Sequence, residues 1–330
     1  TFKDANLEKA IREALKIPTE LLKKEDLARL ETFRKLNSPD TPDKIKDISG
    51  LEYCVNLKEL NLGWNQISDI SALANLTQLQ VLEIWQNQIS DISALSKLTN
   101  LTLLDISGSQ ISDWSVLPNL VNLTNLNMDR ANLTKIPAQL VELTKLEFAG
   151  LANNQLVDIS LLRELASLTS IGLRNNQISD LSALSSLVLL KTLNIDYNYI
   201  TDISALSKLT DISNLNLDGN EITDISPLAN LKNLKWVALK GNQISDITPL
   251  VENTGLSGEV LIAGNPLSNT ALSTHIPALE ARGITVDYDA APADILTFKN
   301  SSFEASIRQS LSIPTEILTK SSISAIVDLD

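Results

Sequence analysis

LKELNLGWNQI, residues 57–67, is the stretch of sequence that decides the fold. Its pattern, L-x-L-x-x-N-x-[IL], recurs as far as residue 267 with a step of 22 residues, and twice of 23 residues. The Asn position is occupied in turn by Asn65, Asn87, Ser109, Ala131, Asn154, Asn176, Asn198, Asn220, Asn242 and Asn265. Ten units at this spacing identify a repeat protein, in which each unit buries its apolar face against its neighbours.

The residues of one unit predict its local structure. Leu60 and Leu62 alternate with polar residues, which is typical of a short strand with one buried face. The recurring Ser-Asp-Ile-Ser text, as at residues 68–71, predicts a capped 3₁₀ turn. Stacked units of this kind predict an α/β solenoid: a curved leucine-rich repeat horseshoe with a parallel sheet on its concave face and 3₁₀ turns on its convex face.

Asn side chains at the turn after each strand are expected to form a structural ladder, because an Asn amide can bond the backbone of neighbouring turns. In two consecutive repeats Ser109 and Ala131 replace the Asn, and residues 133–140 depart from the Asp-Ile-Ser form. A local change of curvature is therefore expected near residues 109–140. The expected ladder consists of Asn65, Asn87, Asn154, Asn176, Asn198, Asn220, Asn242 and Asn265.

Composition limits the partners. With 27 basic and 40 acidic residues the net charge is −13, which argues against binding to nucleic acid or an anionic membrane surface. The apolar content is aliphatic, with 59 Leu and only 4 % aromatic residues, and no apolar run is long enough to span a bilayer. One Cys and one His exclude an intrachain disulfide and a Cys/His zinc cluster. No cofactor or metal is predicted.

Three features have an alternative interpretation. The recurring Asp could bind calcium, but one carboxylate per turn, already useful as a cap, lacks the converging oxygens that calcium needs. Cys54 stands where later repeats have Leu, so it is expected in the core and not as a reactive thiol. His275 has no nucleophile motif around it, so we expect a structural or solvated residue and no enzyme.

The ends of the array have their own patterns. Apolar spacing predicts an amphipathic helix over residues 4–15, and residues 24–36 read as a second helix. After the array, residues 269–282 are expected to be helical and residues 284–288 to form an edge strand. The predicted division is an N-terminal helical cap (1–44), the repeat array with a degenerate first unit (45–267), a C-terminal cap (268–288) and a linker (289–297).

Residues 298–320 align with residues 2–24 without gaps at an offset of 296, including a shared Ile-Pro-Thr-Glu. Residues 298–330 are therefore expected to be the start of a second helical cap, leading into a second repeat array. The alternative, an unrelated C-terminal helical domain, leaves the shared text unexplained.

The cap text NLEKAIREAL, the units of the form N-Q-I-S-D-I-S-x-L and the closing IPALEARGITVDY resemble the bacterial internalin-like leucine-rich repeat proteins. The resemblance covers residues 1–288 and begins again at residue 298. It implies an extracellular or cell-surface bacterial protein that binds a partner on the concave face of the array.

Large side chains at outward positions of the concave strands are candidates for recognition, because packing does not require them. Trp64 and Trp85 stand in adjacent repeats with Glu83 beside them, whereas Trp114 replaces the Ile of the turn motif and is expected in the core. The alternative is that these are ordinary exposed residues of a solvated sheet. The candidates are Trp64, Glu83, Trp85, Asp105, Asp129, Arg130, Arg174, Asp196, Tyr197, Asp218, Trp236 and Lys240.

Ten strands at ~4.8 Å spacing give a strip of roughly 43 Å, which fits a protein or an extended glycan better than a metabolite. The sequence thus favours a monomeric, non-catalytic extracellular module for protein recognition or adhesion. Two alternatives stay open: an intracellular repeat scaffold or regulatory subunit, and the substrate-recognition part of a larger enzyme.

Overall fold

Short parallel strands recur once per repeat in the computed structural model, which describes residues 2–289 and 301–311. The chain divides into two units, Thr1–Gln177 and Ile178–Asp330. In both units a three-residue strand is followed by a turn and, in most repeats, a 3₁₀ helix. The predicted fold class, a leucine-rich repeat solenoid with a parallel sheet and 3₁₀ turns, is confirmed.

Within the first unit, consecutive strands pair in parallel and in register. The central residue of every strand is buried, as Leu60 and Leu82 illustrate, so the outer residues of the strands face the opposite side, which we call the strand face. The strands are β1 (Thr32–Arg34), β2 (Glu59–Asn61), β3 (Val81–Glu83), β4 (Leu103–Asp105), β5 (Asn125–Asn127), β6 (Phe148–Gly150) and β7 (Ser170–Gly172).

The 3₁₀ helices lie on the other side of the strands and are capped by the recurring Asp. In the first unit the Asp69 carboxylate accepts a hydrogen bond from Ser71 N at 2.8 Å, and Asp91 does the same for Ser93 at 2.8 Å. Each carboxylate therefore caps the backbone at the start of its 3₁₀ helix. The 3₁₀ helices of this unit are Leu51–Tyr53, Ser71–Leu73, Ser93–Lys97, Leu117–Asn119, Ala138–Glu142 and Ser160–Glu164.

The N-terminal cap begins with helix α1 (Ala5–Leu15), whose apolar stripe is buried. Asp4 caps it, accepting hydrogen bonds from Asn6 N and Leu7 N, and its other oxygen accepts one from Lys46 N at 2.7 Å. Asp4 thereby joins the helix to the first repeat.

The prediction of a second helix over residues 24–36 is wrong. Only Lys24–Leu27 is helical (α2), and strand β1 follows at Thr32–Arg34. The Thr-Phe-Arg sequence alternates with period two, and burying Phe33 while pairing with β2 outweighs the helical propensity around it. The first strand of the sheet therefore belongs to the cap.

The second unit contains strands β8 to β12 within its described residues, again parallel and in register wherever their pairing is defined. Helix α3 (Thr248–Glu252) takes the place of a 3₁₀ helix in one repeat. The strands are β8 (Thr192–Asn194), β9 (Asn214–Asn216), β10 (Trp236–Ala238), β11 (Glu259–Leu261) and β12 (Thr285–Asp287), and the 3₁₀ helices are Ser182–Ser186, Ser204–Lys208 and Ser226–Asn230.

A π-helical turn (Ala271–His275) runs into helix α4 (Ile276–Ala281), and strand β12 follows, so the helix and the edge strand expected after the array are both present. Arg282 binds three backbone carbonyl oxygens, those of Val251, Asn253 and Leu256, at 2.7–3.2 Å. These bonds fasten the C-terminal cap to the repeat before it.

Helix α5 spans Ser301–Leu311, which are the residues that the offset of 296 aligns with α1. Each of the two helices contains an i,i+4 ion pair at 2.8 Å, Arg12 with Glu8 in α1 and Arg308 with Glu304 in α5. The predicted linker from residue 290 and the rest of the second cap, residues 290–300 and 312–330, lie outside the described residues.

Candidate functional site

The Asn side chains of the turns bond the backbone of adjacent repeats. In the first unit Asn87 Nδ2 donates to the carbonyl oxygens of Ile84 at 2.9 Å and Leu62 at 3.0 Å, and its Oδ1 accepts from Ile67 N at 3.0 Å. In the second unit Asn242 bonds Leu239, Leu217 and Ile222 in the same way. Asn65, Asn154, Asn176, Asn198, Asn220 and Asn265 make bonds of the same kind.

The two substituted repeats interrupt this pattern. Ser109 is 1 % exposed, and its Oγ has no hydrogen-bond partner among the described residues. Its chain neighbours Gly108 and Gln110 line a cavity of about 300 Å³ together with residues that include Asn87. At the next repeat, where Ala131 replaces the Asn, Asn154 compensates in part, because its Oδ1 accepts hydrogen bonds from both Ala131 N and Leu133 N. The irregularity near residues 109–140 is thus a gap in hydrogen bonding.

The residue just before each ladder position has a left-handed backbone. Gly and Asn adopt this conformation readily, whereas bulky residues are strained there by roughly 1–2 kcal/mol. In the first unit Trp64 (φ 56°) and Arg130 (φ 54°) are such residues, and in the second Tyr197 (φ 55°) is one. The full set is Trp64, Gln86, Gly108, Arg130, Asn153 and Asn175 in the first unit and Tyr197, Gly219, Gly241 and Gly264 in the second.

Trp64 and Trp85 meet on the strand face of the first unit. Their ring centroids are 5.9 Å apart at 81°, an edge-to-face arrangement, and both side chains are half-buried. The Lys44 ammonium lies 5.8 Å from the Trp64 ring centroid and donates to Trp64 O at 2.8 Å and to Ser38 O. The ring of Trp85 lies over Gly63, which has no side chain to displace it.

Carboxylates lie beside the tryptophan pair. Glu83 and Asp105 are paired residues of β3 and β4. Asn61 Nδ2 donates to Glu83 Oε2 at 2.8 Å, and Asn127 Nδ2 donates to Asp105 Oδ2 at 3.2 Å. Two amides on the flanking strands thus hold the two central carboxylates.

The remaining candidates of the first unit are Asp129, Arg130 and Arg174. Burial raises the pKa of the Asp129 carboxyl, and the charge of Asp105 adds to this, although the hydrogen bond from Ala152 N, at 2.7 Å, lowers it. Arg130 and Arg174 are exposed. The structure therefore places the two tryptophans, Glu83 and Asp105 on the same face, and it leaves Arg130 and Arg174 exposed.

In the second unit one candidate must be corrected. Asp196 is only 2 % exposed and cannot present its carboxylate to a partner on this surface. At the equivalent place in other repeats, Ser107 is 9 % exposed, whereas Asp129 and Asp218 are half-buried, so it is the surroundings of Asp196 that cover it. Longer side chains, such as that of Lys240, extend out of the same position.

Tyr197 is 53 % exposed, and its ring lies over Gly219. Trp236 is the first residue of β10 and is half-buried. Asp218 Oδ1 accepts from Lys240 N at 2.6 Å. The Lys240 ammonium pairs with Asp287 at 2.5 Å, which raises the pKa of Lys240. Lys240 is therefore committed to an ion pair within the chain.

Sequence reasoning missed several contributors. Lys44, Asn61 and Gly63 position the tryptophans and acids, but nothing in the repeat pattern distinguishes them. A second, outer set of Asn bonds was also missed: Asn100 Nδ2 donates to Thr77 O at 2.8 Å and Asn122 Nδ2 to Thr99 O at 2.9 Å. The recurring Asn-Leu-Thr text carried that information.

The lone Cys and His lie away from the strand face. Cys54 is completely buried, which raises the pKa of its thiol to about 12, and Trp114 is 7 % exposed, so both are core residues as predicted. His275 lies at the start of α4 in the C-terminal cap. Among the described residues, no helix combines the length and the apolar character needed to span a bilayer.

Comparisons with known proteins agree with this architecture. A family model described as Leucine Rich repeats (2 copies) matches residues 77–119, 144–186, 166–208 and 188–230, and a Leucine Rich repeat model matches residues 53–74. Both are repeat families and not catalytic ones. A search of the curated proteins finds no match.

Among solved structures, the chain is similar to an internalin (InlF) from Listeria monocytogenes, with 32 % identity over 88 % of this chain and 91 % of that one and a TM-score of 0.76. InlJ of the same organism, whose functional domain includes a cysteine ladder, shares the fold at 23 % identity (87 % and 60 % covered, TM-score 0.70).

A plant example is more distant. The leucine-rich repeat ectodomain of the Arabidopsis thaliana receptor kinase GASSHO1/SCHENGEN3, solved in complex with CASPARIAN STRIP INTEGRITY FACTOR 2, is 25 % identical, with 69 % of this chain and 31 % of that one covered and a TM-score of 0.54. The identity and coverage of the InlF match decide the family. The chain belongs to the internalin-like leucine-rich repeat proteins.

Proposed function

We propose that this chain is a non-catalytic, extracellular bacterial recognition module that binds a partner protein on the strand face of its first unit. The array over residues 45–267 is the binding domain, and the segments 1–44 and 268–288 cap it. The module acts as a monomer at the bacterial surface or after secretion.

The observation that carries this proposal is the edge-to-face pair of Trp64 and Trp85. Half-exposed tryptophans are the residues that most often dominate the energy of a protein interface. Trp64 also occupies a left-handed backbone position that Asn or Gly would fill with less strain. A bulky, half-exposed residue at such a strained position supports a role in binding.

The family supports the same proposal. Internalin InlF is a relative of this chain, and the plant ectodomain was solved with a partner bound. Leucine-rich repeats are scaffolds for protein interaction, because stacked units present a long continuous face. An extended glycan is the competing ligand, and the experiment below separates the two.

The test is affinity capture: the chain is immobilised, and the extracellular fluid that surrounds the bacterium is passed over it. Wild type is compared with Trp64→Asn/Trp85→Ala and with the control Val55→Ser/Val121→Ser, which changes two half-exposed valines outside the strand face. We expect a protein that the wild type and the control retain and the tryptophan variant loses. Retention by all three, or a captured species that glycosidase treatment removes, would contradict the proposal.

A further inference from the structure

Two like charges face each other beside the tryptophan pair. Glu83 and Asp105 are directly paired across β3 and β4, where adjacent backbones lie about 4.8 Å apart. Like charges in this arrangement destabilise a sheet. No basic side chain forms an ion pair with either carboxylate among the described residues.

The neighbouring strands contribute neutral donors instead of charges. The amide of Asn61 holds Glu83 from one side, and the amide of Asn127 holds Asp105 from the other. Asp105 Oδ1 also accepts hydrogen bonds from Ser107 N at 3.0 Å and Ser107 Oγ at 2.7 Å. All of these donors are neutral, so the negative charges of the two carboxylates stay uncompensated. The two carboxylates are thus oriented side by side in the middle of a four-strand row.

An aromatic side chain, that of Trp85, follows Glu83 on the same face. Side chains alternate along an extended chain, so Trp85 projects from the same face as Glu83, two residues earlier. The Trp85 ring is fixed over Gly63 and in edge-to-face contact with Trp64. Lys44 lies at the Trp64 ring and is bonded to Trp64 O, so it holds Trp64 in place.

We propose that Glu83, Asp105 and Trp85 form a seat for one arginine side chain of the partner protein. A guanidinium group is planar and permanently charged; it stacks on an aromatic ring and offers paired donors to carboxylates. Its arrival would relieve the repulsion between Glu83 and Asp105. This inference rests on the proposed function and adds the chemistry by which the partner is recognised.

The probe is the capped peptide Gly-Gly-Arg-Gly-Gly, titrated into the full chain while the four tryptophan indole N–H signals are followed by NMR. The same peptide with citrulline, which keeps the shape and removes the charge, is the matched control ligand. We expect a saturable shift of the Trp85 signal with arginine and about tenfold weaker binding with citrulline. The buried Trp114 and Trp236, which belongs to the second unit, should not move.

The matched protein variants are Glu83→Gln/Asp105→Asn and the control Glu142→Gln, which removes a charge from an exposed 3₁₀ helix. The first should lose the arginine preference and the second should keep it. If the double variant melts early, the single Glu83→Gln variant replaces it.

Equal binding of both peptides, equal loss with Glu142→Gln, or a Trp236 shift as large as that of Trp85 would overturn the arginine seat. Those results would leave the tryptophan-dependent capture of a protein unaffected, so the failure of this inference and the failure of the proposed function are distinguishable.

Discussion

The indole ring of Trp85 lies so close over Gly63 that a Cβ built on the glycine would be 2.5 Å from Cε2 of the ring. Gly63 has no left-handed backbone that would require glycine. The lack of a side chain therefore serves the neighbouring tryptophan and not the turn. This contact fixes the position of Trp85 relative to Trp64.

We predict that Gly63→Ala displaces the Trp85 ring while the fold persists, because the half-exposed ring can rotate away from the new methyl group. The edge-to-face pair should produce an exciton couplet in circular dichroism that this variant loses. Gly172→Ala is the control, since a Cβ there would meet only Gly150 Cα at 4.0 Å. A couplet unchanged in Gly63→Ala, or lost equally in the control, would refute the claim that Gly63 sets the position of the Trp85 ring.

Trp64→Asn should leave the stability within about 1 kcal/mol of wild type. It loses an aromatic contact of about 0.5–1.5 kcal/mol and gains a comparable relief of left-handed strain. Urea unfolding measures the free energy. Tyr197→Asn is the matched control at the same backbone position in the second unit, where the partner is not expected to bind. A loss of several kcal/mol for Trp64→Asn would show that Trp64 is a core residue.

Ser109→Asn should stabilise the first unit by about 1 kcal/mol, because it fills the gap in the Asn ladder. By analogy with Asn87, its Nδ2 would reach Ile84 O and Ile106 O and its Oδ1 would accept from Ile89 N. Ser96→Asn, on an exposed 3₁₀ helix, is the control and should change stability by less than about 0.5 kcal/mol. Destabilisation by Ser109→Asn would mean that this buried position cannot accommodate the larger side chain.

Stability should fall in acid because of the capping aspartates. Hydrogen bonds from Ser93 and Ser115 lower the pKa of Asp91 and Asp113 below 3.8 in the folded chain. The unfolded chain then binds more protons, so this stabilisation is complete above the ordinary pKa and is lost as the pH falls through the folded values. Melting temperatures between pH 6 and pH 2 should decline less steeply for Asp91→Asn/Asp113→Asn, and an equal decline would contradict the assignment.

The repeat, its strands and its capped 3₁₀ turns were predictable because each is a local pattern repeated at a fixed spacing. Helix α1 and the C-terminal cap followed from apolar spacing in the same way. Strand β1 was missed, because Thr32–Arg34 becomes a strand only through its pairing with β2. A contact distant in sequence decided its structure.

The candidate site was predictable only in part. Alternation placed Glu83 and Trp85 on one face, but it could not show that Asp196 is buried. The left-handed backbone at Trp64 was also hidden, because Gly and Asn in other repeats indicate it only once the column is compared with the observed φ angles. Distances between side chains depend on packing that the pattern does not encode.

The most direct test is the dissociation constant of the captured partner, measured by isothermal titration calorimetry on purified components. Trp64→Asn/Trp85→Ala should weaken binding by about 700-fold or more, since each hot-spot tryptophan contributes about 2 kcal/mol or more and 1.4 kcal/mol is tenfold. Its melting temperature should match that of wild type, and Tyr197→Asn should bind normally. A dissociation constant unchanged in the folded double variant would contradict recognition through the tryptophan pair.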